Sequence, residues 1–175
     1  MTSSSDSVEI RPLRPAEAEA WRALRLQMLK ESPTAFSSAY EDAVELDLER
    51  FASRIPDDGV DALFGLFVHG RLAGSAGFTV ERGRKVRHKG GLWGVYVAPE
   101  VRGRGLGAAL LARLIEHARQ HVAVLQGGVV TANAGAWALY RWLGFEQYGL
   151  EADALRIDGR AYDEALLRLR LDPPC

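Results

Sequence analysis

The spacing of apolar positions changes several times along this chain, and each change marks an element. Val8 to Leu13 alternates apolar and polar residues, as a half-buried strand does. Pro15 suits a first helical turn. Behind it, Trp21, Leu24, Met28 and Leu29 recur three or four residues apart as one helical stripe, which Ser32-Pro33 breaks. A second helical region is expected from about Glu41 to Arg54, ended by Pro56-Asp57-Asp58-Gly59. Ala62 to His69 and Leu72 to Val80 read as strands around the turn His69-Gly70-Arg71, and Gly90 to Ala98 as a third, rich in Trp, Tyr and Val. A helix then carries Leu106, Leu110, Leu114, Ala118 and Val122 at every fourth position. Gly127-Gly128 is read as the end of the connection, before a short buried strand at Val129 to Thr131. Asn133 caps a helix bearing Trp137, Leu139, Tyr140 and Leu143, with Gly144 at its C-terminal end. Phe145 to Ile157 and Arg160 to Leu171 close the chain as a hairpin around Asp158-Gly159.

This order predicts a mixed α/β domain with helices packed on a sheet. The 175 residues suit one domain, placed at 8–171, with a polar, frayed start at 1–7 and a short tail at 172–175. A net charge of -1 offers no basic field for nucleic acid. The local run Arg82, Arg84, Lys85, Arg87, His88 and Lys89 reads as a solvated hairpin. The single cysteine, Cys175, can build neither a disulfide frame nor a thiolate metal site and fits a reducing cytoplasm. Neither a signal core nor a membrane span is recognisable, so no membrane partner is expected.

The most informative stretch runs from Val97 to Ala108. A strand feeds a glycine-rich turn, Arg102-Gly103-Arg104-Gly105-Leu106-Gly107, which feeds a helix N-terminus. Unpaired amides and the positive end of the helix dipole make such a junction an anion cradle. Gly103, Gly105 and Ala108 also match the dinucleotide fingerprint G-x-G-x-x-A. The strand that follows lacks the acidic residue that would hold a ribose, and no Gly-Lys-Ser/Thr follows for a nucleotide phosphate loop. His117 and His121 have a metal-ligand spacing, yet no Glu stands where a zinc protease motif needs it. Trp93, Trp137 and Trp142 are expected in the core or a site wall.

Arg102-Gly103-Arg104-Gly105-Leu106-Gly107 resembles the GNAT acetyltransferase signature Q/R-x-x-G-x-G/A. Asn133 to Phe145 resembles the same family's N-x-x-A-x-x-L-Y-x-x-x-G-F, in the right order and spacing. The resemblance implies a mixed, mostly antiparallel sheet with helices on both faces, splayed between the strand at Gly91 to Val97 and that at Val129 to Thr131. Acetyl-CoA would enter the gap as cosubstrate, with no metal. Backbone groups at Val95, Tyr96 and Val97 would hold the pantetheine arm, and a strand N–H would polarise the thioester carbonyl. Amides of Arg102, Gly103, Arg104, Gly105, Leu106, Gly107 and Ala108 would hold the pyrophosphate, and Asn133 would contact CoA. Tyr140 matches the general acid that protonates the leaving thiolate; from spacing alone it reads as core.

The strand glutamate that many members use as a base is missing from Leu92 to Val97. Glu41, Asp42, Glu81 and His88 are the remaining candidates. The implied function is acetyl transfer to a small-molecule primary amine. Alternatives are a peptide N-terminal or lysine acceptor, or a CoA-binding regulatory module without catalysis. Homodimers occur in the family.

Overall fold

The computed structural model describes residues 7–171. The expectations for the frayed start, the tail and Cys175 therefore lie largely or wholly outside the described residues. Seven strands form one sheet, in spatial order β1 (Val8–Pro12), β2 (Ala62–Val68), β3 (Arg71–Val80), β4 (Lys89–Val97), β5 (Val124–Val130), β7 (Arg160–Arg170), β6 (Glu146–Ile157). Every pairing is antiparallel except β4 with β5. The helices are α1 (Ala18–Glu31), α2 (Tyr40–Val44), α3 (Leu48–Ala52), α4 (Leu106–Ala118) and α5 (Ala134–Trp142).

The predicted stripes face the core. Trp21, Leu24, Met28 and Leu29 of α1 are buried, as are Leu110, Leu111, Leu114, Ile115 and Ala118 of α4. Every residue of β2 is buried, as a strand covered on both faces must be. The final turn, Asp158-Gly159, has positive φ at both residues (50° and 78°), the geometry of a tight two-residue hairpin. The basic run between β3 and β4 is exposed, with Arg82 paired to Asp61 at 2.5 Å.

Several expectations need correction. The helical region expected at 41–54 is two short helices, because the Asp47 carboxylate accepts the Arg50 N–H at 2.9 Å and caps a new helix start. Helix α4 stops at Ala118, although Val122 beyond it remains buried. Gly127 and Gly128 lie inside β5 rather than before it, so that strand is longer than the expected Val129 to Thr131. The two glycines leave room for side chains from neighbouring strands: a Cβ at Gly127 would touch Leu92, and one at Gly128 would lie 2.4 Å from Glu164 Oε1. Trp142, expected in the core or a site wall, is 75% exposed.

Two features of β4 open the sheet. Its parallel pairing with β5 covers only Lys89, Gly90 and Gly91, opposite Val124, Leu125 and Gln126. Beyond Gly91, β4 has a sheet neighbour on one side alone, β3. Opposite β3, two residues of β4 (Gly94 and Val95) face the single residue Ala76, which is a β-bulge. Gly94 takes φ +60° there, and its carbonyl accepts the hydroxyl of the buried Ser75 at 3.1 Å. A side chain at position 94 has space, with only Arg25 Nη1 at 3.9 Å, so the need for glycine is conformational. Gly94→Ala should therefore cost roughly 1–2 kcal/mol of stability, the left-handed penalty of an L-residue. A urea midpoint equal to the wild type's would contradict this.

Candidate active site

Where β4 and β5 part, a groove of about 560 Å³ opens. It is lined by Val95, Tyr96 and Val97 from β4, by Arg102, Gly103 and the segment Gly105 to Ala108 from the loop and α4, and by Asn133 beside α5. Of the residues expected to hold a CoA-type ligand, only Arg104 and Tyr140 are absent from this lining. Gly103 and Gly105 hold φ +75° and +73°, and a Cβ on either would meet nothing within 4 Å. Both are required for the turn of the backbone, which leaves the loop open toward the groove.

Helix α4 begins on Gly105 with no side-chain cap. Its first-turn amides have no intrahelical acceptor and carry the positive end of the dipole. This donor set suits a pyrophosphate. Arg102 contributes less free charge than its sequence implies. Its guanidinium holds Glu31 in a two-point ion pair (3.1 and 2.9 Å), and its Nε donates to the Val97 carbonyl at 2.8 Å. The pair lowers the Glu31 carboxyl's pKa and raises that of Arg102. Arg102 thus ties the glycine-rich loop to the end of α1 and occupies one backbone acceptor of β4. Asn133 caps α5 by accepting the Ala136 N–H at 3.1 Å, and it lines the groove as well.

A second hollow, of about 400 Å³, adjoins the first. The two share Ala35, Phe36 and Val95 in their walls. The second is lined further by Arg25, Ser37, Ser38, Trp93, Tyr140 and Glu164. Tyr140 is buried, packed edge-on against Phe145 at 5.3 Å. Loss of hydration, reinforced by the Glu164 charge, pushes its phenol pKa well above the ordinary value. It therefore keeps its proton at neutral pH. Glu164 reaches the hollow from β7 across Gly128 of β5, whose missing side chain makes the space. Burial first, and then the Glu151 carboxylate of β6, push its pKa up.

Glu164 and Arg25 were missed in sequence, and each left a signal. Glu164 interrupts the apolar end of a strand, followed by Ala165-Leu166-Leu167. Arg25 occupies the apolar stripe of α1, four residues after Trp21 and three before Met28. Neither signal says what lies opposite, because strand register and helix docking decide that. The four earlier base candidates do not line this hollow. Glu41 and Asp42 are exposed on α2, and Glu81 and His88 are exposed near the start of β4. His117 is engaged elsewhere, its Nε2 lying 2.7 Å from the Val60 carbonyl and its ring edge-on to Phe64 and Phe78. Among the described residues, no group of three or more His, Cys, Asp or Glu could hold a metal ion. Among the described residues, no helix is long and apolar enough to cross a membrane.

Comparison with known proteins agrees with this geometry. The chain is 41% identical over 80 residues to an L-methionine sulfoximine/L-methionine sulfone acetyltransferase of Pseudomonas aeruginosa, a match covering 45% of this chain and 46% of the relative. The chain spans about half the length of the curated relatives it matches. A ribosomal-protein-alanine N-acetyltransferase from Brucella melitensis superposes with a TM-score of 0.80 at 32% identity, covering 93% of this chain and 99% of that one. The structure of yncA, a putative acetyltransferase from Salmonella typhimurium with its cofactor acetyl-CoA, shares the fold at a TM-score of 0.79 and 24% identity, over 97% and 96% of the two chains. A family model described as the acetyltransferase (GNAT) family matches residues 21–145, which takes in the splayed strand, the glycine-rich loop and the whole of the Asn133 to Phe145 motif. GNAT acetyltransferases use acetyl-CoA, and this chain belongs to that family.

Proposed function

We propose that this protein transfers an acetyl group from acetyl-CoA to the primary amine of a small molecule by direct attack, with Tyr140 as general acid and Glu164 as general base. The observation that carries the reading is the meeting of the two hollows at Val95. One presents the donors suited to the pyrophosphate. The other brings together a phenol that stays protonated and a carboxyl whose affinity for a proton is raised.

Acetyl-CoA supplies an activated thioester. The residues around it have separable tasks. The loop 102–108 and the start of α4 bind the phosphates, and the free edge of β4 orients the arm. An N–H on that edge polarises the carbonyl. Glu164 accepts the proton of the incoming ammonium, which frees the nitrogen lone pair to form the new C–N bond. As the C–S bond breaks, Tyr140 gives its proton to sulfur. The acylated nitrogen still carries one surplus proton, which restores the Tyr140 phenol, and Glu164 returns its own to solvent, so that ammonium and thioester give amide, thiol and one released proton.

A peptide N-terminus is the second reading, favoured by the likeness to the Brucella enzyme. A CoA-binding module without catalysis is disfavoured, because an acid and a base both line the second hollow. The direct test is CoA thiol release from acetyl-CoA over a panel of amino acids, polyamines, aminoglycosides and short peptides, with mass spectrometry of the products. An acetylated small amine supports the proposal; thiol release with peptides alone moves it to the second reading. No release with any acceptor overturns it.

Tyr140→Phe should lower kcat by about tenfold to a hundredfold, with acetyl-CoA affinity nearly unchanged, because only proton donation is lost. Unaltered turnover would remove Tyr140 from the acid role. Glu164→Gln should lower kcat by at least about tenfold and abolish the acid limb of its pH profile, which in the wild type lies above the ordinary glutamate value of about 4.3.

The stability of that variant has a definite sign. A carboxyl whose pKa is raised on folding binds more protons folded than unfolded, so its contribution to stability falls as pH rises through that window. Glu164→Gln should therefore melt higher than the wild type at neutral pH, with the difference shrinking as pH falls through the raised folded value and gone below about pH 4. Thermal melts at several pH values read this directly, and a lower melting temperature at neutral pH would contradict it.

A further inference from the structure

Arg25 is a guanidinium built into α1 at a position where the helix otherwise presents apolar side chains to the core. Desolvation, assisted by the Arg54 charge, lowers its pKa. Its contacts are neutral. Nη1 lies 3.2 Å from Met28 Sδ, Nη2 donates to Ser38 Oγ at 3.1 Å, and the group stacks over the Phe36 ring at 5.1 Å. Among the described residues no carboxylate pairs with it, in contrast to Arg11, Arg82, Arg102 and Arg168, each of which holds one. A charge withdrawn from water without a counter-ion is costly. Here it forms part of the wall of the same 400 Å³ hollow as Tyr140 and Glu164.

That hollow is therefore bipolar, with a carboxyl contributed by β7 and a guanidinium contributed by α1. A zwitterion fits it with both charges matched. We propose that Arg25 binds the free carboxylate of the acceptor, so that the amine to be acetylated belongs to a free amino acid or a close analogue. This rests on the acetyl-transfer reading above and names the substrate class of the same site. The ammonium end faces Glu164, which takes its proton, and the acid end faces Arg25 and the Ser38 hydroxyl beside it. Guanidinium and carboxylate can meet through two parallel hydrogen bonds, which fixes orientation as well as charge. The size of the hollow is that of a small-molecule site. A peptide N-terminus would bring an amide in place of the carboxylate and leave the Arg25 charge unpaired. Discrimination would then come from an unmatched buried group, which is a strong form of rejection.

The test compares each free L-amino acid with its own carboxamide and with a dipeptide beginning in the same residue, by thiol release and product mass. The best free acid should exceed its amide by about 30-fold or more in kcat/KM, the scale of losing a charged hydrogen bond. Arg25→Gln should remove most of that preference, chiefly through KM, and Arg25→Lys should keep part of it. Acetyl-CoA affinity, which rests on the other groove, serves as the control for folding. Should Arg25→Gln fail to fold, the wild-type ratio of acid to amide decides alone. Amides or dipeptides acetylated as well as the free acids would overturn this inference and leave the transferase reading standing. Absence of thiol release with every amine would overturn that reading, and the inference with it.

Discussion

The site depends on the parting of two parallel strands. β4 and β5 share three residue pairs and then separate, so the sheet carries an unpaired edge in its own interior. An unpaired edge is normally a liability, because its peptide groups seek partners. Here the separation is enforced from several sides. The His88 carbonyl anchors the start of β5 by accepting the N–H groups of Ala123 and Val124 at 2.8 and 3.1 Å. The Leu92 side chain stands against Gly127 where the strands diverge. The bulge at Gly94 and Val95 interrupts the register with β3 just beyond. Each strand then runs into a helix, and α4 and α5 flank the opening. The gap is thus a product of register and glycine placement, and a ligand arm that acts as a strand can complete the edge.

Glycines recur wherever one chemical group must approach another. Gly77 admits the Trp93 indole, whose Nε1 then donates to Thr79 at 3.0 Å and whose ring packs edge-on to Trp21. Gly128 admits the Glu164 carboxyl to the second hollow. Gly94, Gly103 and Gly105 serve a different purpose, since their backbone angles rather than their surroundings exclude a side chain. The residue type alone does not separate these uses.

This explains what the sequence did and did not disclose. The stripes of α1 and α4, the final hairpin and the phosphate loop depend on neighbours within a few residues, and all were legible. So was the motif holding Asn133 and Tyr140, since it spans a single helix with its cap and end. Gly127-Gly128 was misread as the end of a connection because paired glycines commonly punctuate one, while their purpose lies in β4 and β7. Glu164 escaped notice for the same reason: its significance comes from pairing Val130 with Glu164 across β5 and β7, a register that no local pattern records. Arg25 stood in plain view as the one charged residue on an apolar stripe. That irregularity is informative, because a stripe broken by a guanidinium either covers the break with a counter-ion or leaves it for a ligand.

The two hollows divide recognition in different currencies. The larger one offers backbone groups, namely loop amides and a strand edge, which most sequences with the same glycines could supply. Its one prominent cation, Arg102, is already bound to Glu31 and serves to hold the loop against α1. The smaller one relies on side chains drawn from α1, the segment after it, β4, α5 and β7. A ligand that varies little can be held by backbone geometry, because that geometry survives substitution. An acceptor must be distinguished from its chemical relatives, and only side chains carry that much variety. On the proposed reading, substrate choice resides in Arg25, Ser38, Trp93 and Glu164, with the glycine-rich loop contributing affinity but little discrimination.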